Sequence, residues 1–392
     1  MDRTNVLGIC QRHIPSAEVG VIAPLKYLQE LGKLNFTFKE SAEVDKDDIA
    51  KSDVIICIRC TEKIEYEIIK ESKRLNKFVI YFLDDDLLNV PKTANSSGYF
   101  ENENVRNTLI DILKESDLLW TTNSNIADRY KTYIKKSIII NAPALLYNQY
   151  ETNHFQKNSE GSLKVGFAGG IDHEYFINDL LREPVKKLLE EFGTEYVKFE
   201  FMGARPRFID EFKLNYIPYQ SNPNEYRNVI KQRNWDIGLA PLQDTEFHSC
   251  KYFNKFLEYG ALGVAGVYSN VMPFTFVISN KENGILVDNT SESWYQGIKS
   301  LIVDENKRKM IMNKANKKIE NEFTLEKIAD EISSGIMELL QFKAPYCPIS
   351  KVKYKKFGSS KLIKIVQLIR THKLATPKYV LKRILLYRKT GY

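Results

Sequence analysis

Phe78-Val79-Ile80-Tyr81-Phe82-Leu83 is an unbroken apolar run that ends in Asp84-Asp85-Asp86. A strand with one wet face alternates apolar and polar residues. A strand that is apolar throughout is buried on both faces, as in a parallel sheet covered by helices. The flanking sequence fits such a sheet. Strand-like stretches at 5–10, 35–39 and 53–58 precede the run, and 118–121 and 137–140 follow it. Helical periodicity over 21–31, 62–75, 105–116 and 125–135 separates them. This alternation predicts a parallel sheet with right-handed crossovers. Ligands of such sheets bind beyond the carboxyl ends of the strands, which is where the acidic triplet falls.

The pattern breaks over 141–162, where Pro143, Asn148, Asn153, Asn158, Ser159 and Gly161 make a polar linker. It then restarts. Strands are predicted at 163–168, 197–202, 214–217, 237–240, 264–268 and 284–287. Helices are predicted at 175–192 and 225–232, and three more, at 292–303, 305–319 and 325–341, close the body. Two α/β units in succession divide the 392 residues into 1–150, 151–342 and an appendage at 343–392.

Charge separates that appendage from the rest. Residues 351–392 hold 13 Lys or Arg and no Asp or Glu. The other 350 residues hold 44 basic against 50 acidic, so the overall +7 describes neither part. A body of this kind lacks the basic face of a nucleic-acid binder. In the tail, Lys361, Lys364, Gln367 and Arg370 share half of a helical circumference. After Pro377, Lys378, Lys382, Arg383 and Lys389 oppose Val380, Leu381, Ile384, Leu385 and Tyr387. Basic amphipathic helices suit an anionic membrane surface; docking on the body or on another subunit is the alternative. No apolar run reaches the roughly 18 residues of a spanning helix. The N-terminus lacks the features of a signal peptide. The five cysteines are few, odd in number and scattered. The expectation is a cytoplasmic protein, peripheral at the inner face of the membrane. Cys57-x-x-Cys60 is half of a zinc pattern with no second half at zinc spacing.

The stretch His248 to Gly260 reads as one helix ended by its glycine. Lys251, Lys255 and Glu258 then stand at i, i+4 and i+7 on one face, with Phe253, Phe256, Leu257 and Ala261 opposite. Two cations and a carboxylate at the mouth of an α/β unit suit a diphosphate and a ribose. A solvated face with a Lys255–Glu258 ion pair is the plainer reading. Gly20 opens a helix after the first strand, where phosphate can approach backbone N–H groups; a plain loop is the alternative reading. The G-x-G-x-x-G pattern of nicotinamide enzymes is absent. The acidic triplet has three readings: an acceptor-side or catalytic role, a metal-binding D-x-D, or a solvated turn.

The second unit carries an ordered series of short motifs. Val165-Gly166-Phe167-Ala168-Gly169-Gly170 and Phe199-Glu200-Phe201-Met202-Gly203 end in glycine, and Asp236-Ile237-Gly238-Leu239-Ala240-Pro241-Leu242 ends in Ala-Pro-Leu. Lys251-x3-Lys255-x2-Glu258-Tyr259-Gly260, Val267-Tyr268-Ser269, Asn283-Gly284-Ile285-Leu286-Val287 and Glu322-Phe323-Thr324 follow. In this order and spacing the series resembles group 1 glycosyltransferases of the GT-B fold, over roughly 163–340. The first unit matches through architecture alone.

The resemblance implies an α/β fold of two Rossmann-like domains facing a central cleft: an N-terminal acceptor domain, a C-terminal nucleotide-sugar domain and a basic helical tail. It implies that Glu258 holds the donor ribose as the second acid of an E-x7-E motif, whose first acid is replaced here by Cys250. Lys251 and Lys255 would face the diphosphate. Gly20, Gly169 and Gly170 would let the backbone approach the donor. Asp84 and Asp85 fall where relatives carry a His-Asp pair near the acceptor. His173 and Arg205 lie just beyond strand ends, within reach of the donor.

The implied activity is transfer of a hexosyl or N-acetylhexosaminyl group from a nucleotide-sugar, a UDP-sugar favoured, to a surface glycan, glycolipid or protein. Configuration is retained, and neither a metal nor a cofactor is expected. The rivals are a nucleotide-sugar epimerase or hydrolase and a non-catalytic membrane-associated binding partner.

Overall fold

A computed structural model of the chain describes residues 2–94, 96–147, 161–220 and 222–346. The basic tail segments at 351–392 and most of the polar linker lie outside the described residues. Among the described residues the strands form two six-stranded sheets, each parallel throughout.

The first sheet comprises β1 (Asn5–Cys10), β2 (Asn35–Glu40), β3 (Val54–Ile58), β4 (Phe78–Leu83), β5 (Leu118–Thr121) and β6 (Ser137–Ile139), in spatial order β2-β1-β3-β4-β5-β6. The second comprises β7 (Leu163–Gly169), β8 (Val197–Gly203), β9 (Asn215–Ile217), β10 (Ile237–Ala240), β11 (Ala265–Ser269) and β12 (Ile285–Val287), in order β12-β11-β10-β7-β8-β9. Counted from its own first strand, the second sheet runs 3-2-1-4-5-6, the order of a dinucleotide-binding Rossmann sheet. The first runs 2-1-3-4-5-6 and follows the other common doubly wound order. Both therefore reverse direction at an identifiable point, between β1 and β3 in one sheet and between β7 and β10 in the other.

The predicted core strand is the observed one. Every residue of β4 after Phe78 is buried, and β3 is buried along its whole length, as strands covered on both faces must be. In the second unit, aromatic rings lie across strand glycines. A Cβ on Gly166 would come within 1.8 Å of the Trp235 ring, whose Nε1 donates to buried Glu200 at 2.8 Å.

The described residues divide into one unit of 2–143 with 325–346 and another that begins at Ala144 and ends at Thr324. The sequence reading assigned 325–342 to the second unit, and the structure moves these residues to the first. The Leu325–Gly335 helix packs on the Ala23–Glu30 helix, and Gly335 leaves room for Ile138 and Ile140. Beyond it, the Asp53 carboxylate receives Lys343 Nζ at 3.2 Å and the Ala344 N–H at 3.1 Å, and the Phe342 ring meets Phe78. Charged hydrogen bonds of this kind contribute ~1.5–3 kcal/mol each. Periodicity finds such a helix but is blind to the side on which it docks.

Candidate functional site

In open parallel sheets the crevice forms at the carboxyl ends of the strands where their order reverses. In the second unit that point carries the turn after β7 and the Ala240-Pro241-Leu242 turn after β10. Ser269, at the end of β11, fixes the second of these. Its Oγ accepts the Leu242 N–H at 2.8 Å and donates to Asn289 Oδ1 at 2.6 Å, and Asn289 Nδ2 returns to Leu242 O at 2.8 Å.

The predicted long helix at 248–260 is two pieces. Thr245 caps a short helix, Glu246–Ser249, through its side chain. A break over 250–253 follows, and then the helix Asn254–Leu262. Phe253 leaves the helical region with ψ 42°, and its ring is buried among Phe256, Phe276 and Phe323. Gly260 does not end the helix. It lies inside, where a Cβ would sit 2.7 Å from Ile319, and Gly263 ends the helix in the left-handed conformation, φ 62°. Lys251 therefore stands in the break and is not on a helical face with Lys255. Three anchors hold the second helix to its unit: the Ile319 contact, Tyr259 Oη donating to Leu239 O at 2.7 Å, and Asn316 Nδ2 donating to Gly260 O at 2.9 Å.

Lys255 and Glu258, one turn apart, form an ion pair at 2.5 Å, both mostly buried. Burial opposes the charge on Lys255, but Glu258 outweighs it and holds the ammonium above the ordinary lysine pKa. His173 reports the field around these cations. Burial, then Lys251, Lys255 and His248, push its pKa down to about 3. The imidazole is thus neutral at pH 7, and the two predicted lysines share its surroundings although they do not share a helix.

His173 belongs to the turn that follows Gly169 and Gly170. The two glycines differ. A Cβ on Gly169 would strike the Phe167 ring at 2.5 Å, whereas one on Gly170 would meet nothing within 4 Å. Gly170 has the open face that a close-approaching ligand needs. Arg205 follows β8 but is engaged elsewhere: it is exposed, paired with Asp210 at 2.6 Å and laid over the Tyr216 ring. The structure does not bring Arg205 to the lysines.

In the first unit the acidic triplet divides. Asp86 is fully buried and holds the following loop, accepting from Asn89 Nδ2 at 2.9 Å and Tyr130 Oη at 3.0 Å, with Arg129 at 3.3 Å. Asp84 and Asp85 stay at the strand end beside Arg59, 3.5 and 3.3 Å from its Nη1. Arg59 follows β3 at the reversal point with φ 52°, and Ser16 accepts from the same nitrogen at 3.2 Å. Burial lifts the Asp84 pKa above the ordinary carboxylate value; Arg59 and Ser16 oppose the shift, and Asp85 adds to it.

Gly20 is not in an open glycine loop. It lies buried in the helical turn Glu18–Ile22, where a Cβ would come within 2.2 Å of the Phe82 ring, so its missing side chain admits a core aromatic. Cys57 and Cys60 are buried thiols, Cys60 donating to Ile9 O. Among the described residues no cluster of His, Cys, Asp or Glu is arranged to hold a metal ion, and no helix is long and apolar enough to cross a membrane.

Sequence reasoning missed Arg59, Ser16 and Tyr226. Tyr226 Oη lies 3.1 Å from Glu258 Oε2 and 3.2 Å from Lys255 Nζ. The signal for Arg59 was available, a cation at the end of the strand beside the run. For Tyr226 there was none, because 32 residues separate it from its carboxylate partner.

The architecture is a pair of Rossmann-like α/β units of the kind found in GT-B enzymes, and solved structures share it. The chain is similar to HepE from Anabaena, solved with UDP and glucose, at 12% identity over 85% of this chain and 99% of that one, with a TM-score of 0.58. It is similar to a glycosyltransferase from Rickettsia africae at 14% identity over 87% and 100%, with a TM-score of 0.60. A putative UDP-N-acetylglucosamine 2-epimerase from Listeria monocytogenes matches at 11% identity over 88% and 100%, with a TM-score of 0.53. At these identities the likeness is one of fold. No protein-family model matches the chain, and no curated protein matches it.

Proposed function

We propose that the protein is a glycosyltransferase that moves a hexosyl or N-acetylhexosaminyl group from a nucleotide-sugar, a UDP-sugar favoured, to a hydroxyl of a glycan, glycolipid or protein. One observation carries the reading: at the strand-order reversal of the second sheet, a glycine with an open face, a neutral His173, two lysines and a paired glutamate occur together.

In this reading Gly170 admits the donor backbone-close, Glu258 holds the ribose, and Lys251 and Lys255 face the diphosphate. The bond from the sugar's anomeric carbon to phosphate oxygen breaks while a bond to the acceptor oxygen forms. Negative charge grows on the departing diphosphate, where fixed cations lower the barrier. Lysine serves as a point charge for phosphate. Configuration is retained, and the acceptor proton leaves on the departing phosphate oxygen, so no metal is assigned a step. Asp84 and Asp85, held by Arg59, orient the acceptor hydroxyl. Arg205 and Gly20 are left out, one by its pairing with Asp210 and the other by the ring against it. HepE's crystallisation with UDP and glucose supports the choice of donor class. The basic segments at 351–392 are assigned to an anionic membrane surface on their charge and periodicity.

A thermal-shift screen with UDP-, GDP- and CDP-sugars, followed by product mass with candidate acceptors, tests the reading. Stabilisation by a nucleotide-sugar is expected, and silence across the panel overturns it. The likeness to a putative epimerase favours one second reading, turnover of the donor itself. Donor consumption with no acceptor present would select that reading.

A further inference from the structure

The Lys255–Glu258 pair has a third member, and it fixes which carboxylate oxygen meets a ligand. Tyr226 comes from the Pro223–Lys231 helix, started by Asn222 accepting the N–H groups of Asn224 and Glu225, with proline in the first turn. Its hydroxyl donates to Glu258 Oε2 at 3.1 Å and accepts from Lys255 Nζ at 3.2 Å. Lys255 Nζ also donates to the same Oε2 at 2.5 Å. A tyrosine hydroxyl has one proton, so the directions are set: the ammonium gives two of its three protons, and Tyr226 passes its own to the carboxylate. Both bonds land on Oε2. Oε1 receives none from the described residues.

We infer that Tyr226 is a positioning residue for the donor site: by occupying Glu258 Oε2 together with Lys255, it turns Oε1 outward as the acceptor for two vicinal hydroxyls of a nucleoside diphosphate. This rests on the donor-site reading above. A carboxylate held by Lys255 alone keeps rotational freedom about its terminal torsion, which is broad and roughly two-fold. A second donor from a different helix removes that freedom. Tyr226 itself touches no ligand in this arrangement, so its loss acts through Glu258.

The test is a cycle of variant against ligand, measured by calorimetry on the full chain with UDP and 2′,3′-dideoxy-UDP. The wild type is expected to prefer UDP by about tenfold, the scale of hydrogen bonds to a charged group. Tyr226→Phe keeps the ring and is expected to lose most of that preference, by weakening UDP while leaving the dideoxy nucleotide unchanged. In a Glu258→Gln background, Tyr226→Phe is expected to add nothing further. A merely structural tyrosine would weaken both nucleotides equally, and that result overturns the inference. So does an unchanged preference in Tyr226→Phe, or a full effect of Tyr226→Phe in Glu258→Gln. Should Tyr226→Phe fail to fold, Tyr226→Trp, which keeps an aromatic but moves the donor, is put through the same cycle with the same expected loss. A wild type that binds no nucleoside diphosphate would overturn the donor-site reading itself. Wild-type binding without the Tyr226 effect leaves that reading standing and removes only the positioning role.

Discussion

The two sheets end in edges of the same kind and opposite charge. At the reversal point of the first, two carboxylates flank one half-buried guanidinium, and the Asp84 pKa is driven up. At the reversal point of the second, two lysines and His248 surround a histidine whose pKa is driven down, with one glutamate holding Lys255. Each edge makes the minority charge serve the majority: Arg59 keeps two acids together, and Glu258 keeps Lys255 charged in a mostly buried place. The backbone topology alone would not distinguish the edges. Side chains decide that one is acidic and the other basic.

The contrast breaks hardest at the basic edge. Lys255→Met and Glu258→Ala are each expected to lower transfer by about a hundredfold or more, with a circular dichroism spectrum that still shows the folded protein and a melting temperature lowered by the loss of the mostly buried pair. Wild-type rates in either variant would remove the donor assignment. A smaller and different effect is expected at the acidic edge. Asp84→Asn should slow transfer by about tenfold, the scale of one charged hydrogen bond, while nucleotide affinity measured by calorimetry stays as in the wild type. Equal loss of nucleotide affinity would erase the distinction between the edges.

Two glycines, both expected from the resemblance to let the backbone approach the donor, sharpen it further. Gly20→Ala drives a methyl group into the Phe82 ring and should cost ~1–3 kcal/mol of stability in urea unfolding, the scale of overpacking. Gly170→Ala meets open space, so stability should change by less than ~0.5 kcal/mol while donor binding weakens a few-fold.

A further expected effect is protonic. Because the folded pKa of His173 is depressed to about 3 from an ordinary value of 6.5, its neutral form contributes stability that is fully present above pH 6.5 and is lost as pH falls toward 3. His173→Gln should therefore flatten the melting temperature between pH 6.5 and 5. In the wild type, NMR titration should show this imidazole neutral at pH 5. UDP should raise its pKa, because a bound diphosphate offsets Lys251 and Lys255.

Much of the molecule was legible along the chain. The run at 78–83 marked a strand to the residue, because an all-apolar hexamer between turn signals has few other uses. The Ala240 and Gly169 strand ends, and the pairing of Lys255 with Glu258 within one turn, are local facts that spacing records. The tempting helix over 248–260 was not legible. Its polar spacing was right for one continuous face, yet the burial of Phe253 among three aromatics, two of them from other elements, breaks it. Lys251 still reaches the surroundings of His173 from the break, for a reason that spacing did not contain.

What the sequence determined by itself is therefore what acts over a few residues: hydrophobic period, strand ends and the ion pair within one turn. Tertiary structure alone decided which glycine is open and which is filled, and that Asp86 turns inward while Asp84 and Asp85 stay with Arg59. It alone sent the 325–335 helix back to the first unit and placed Tyr226 on Glu258. Each of these depends on which distant side chain occupies a given space, and one-dimensional spacing carries no information about that.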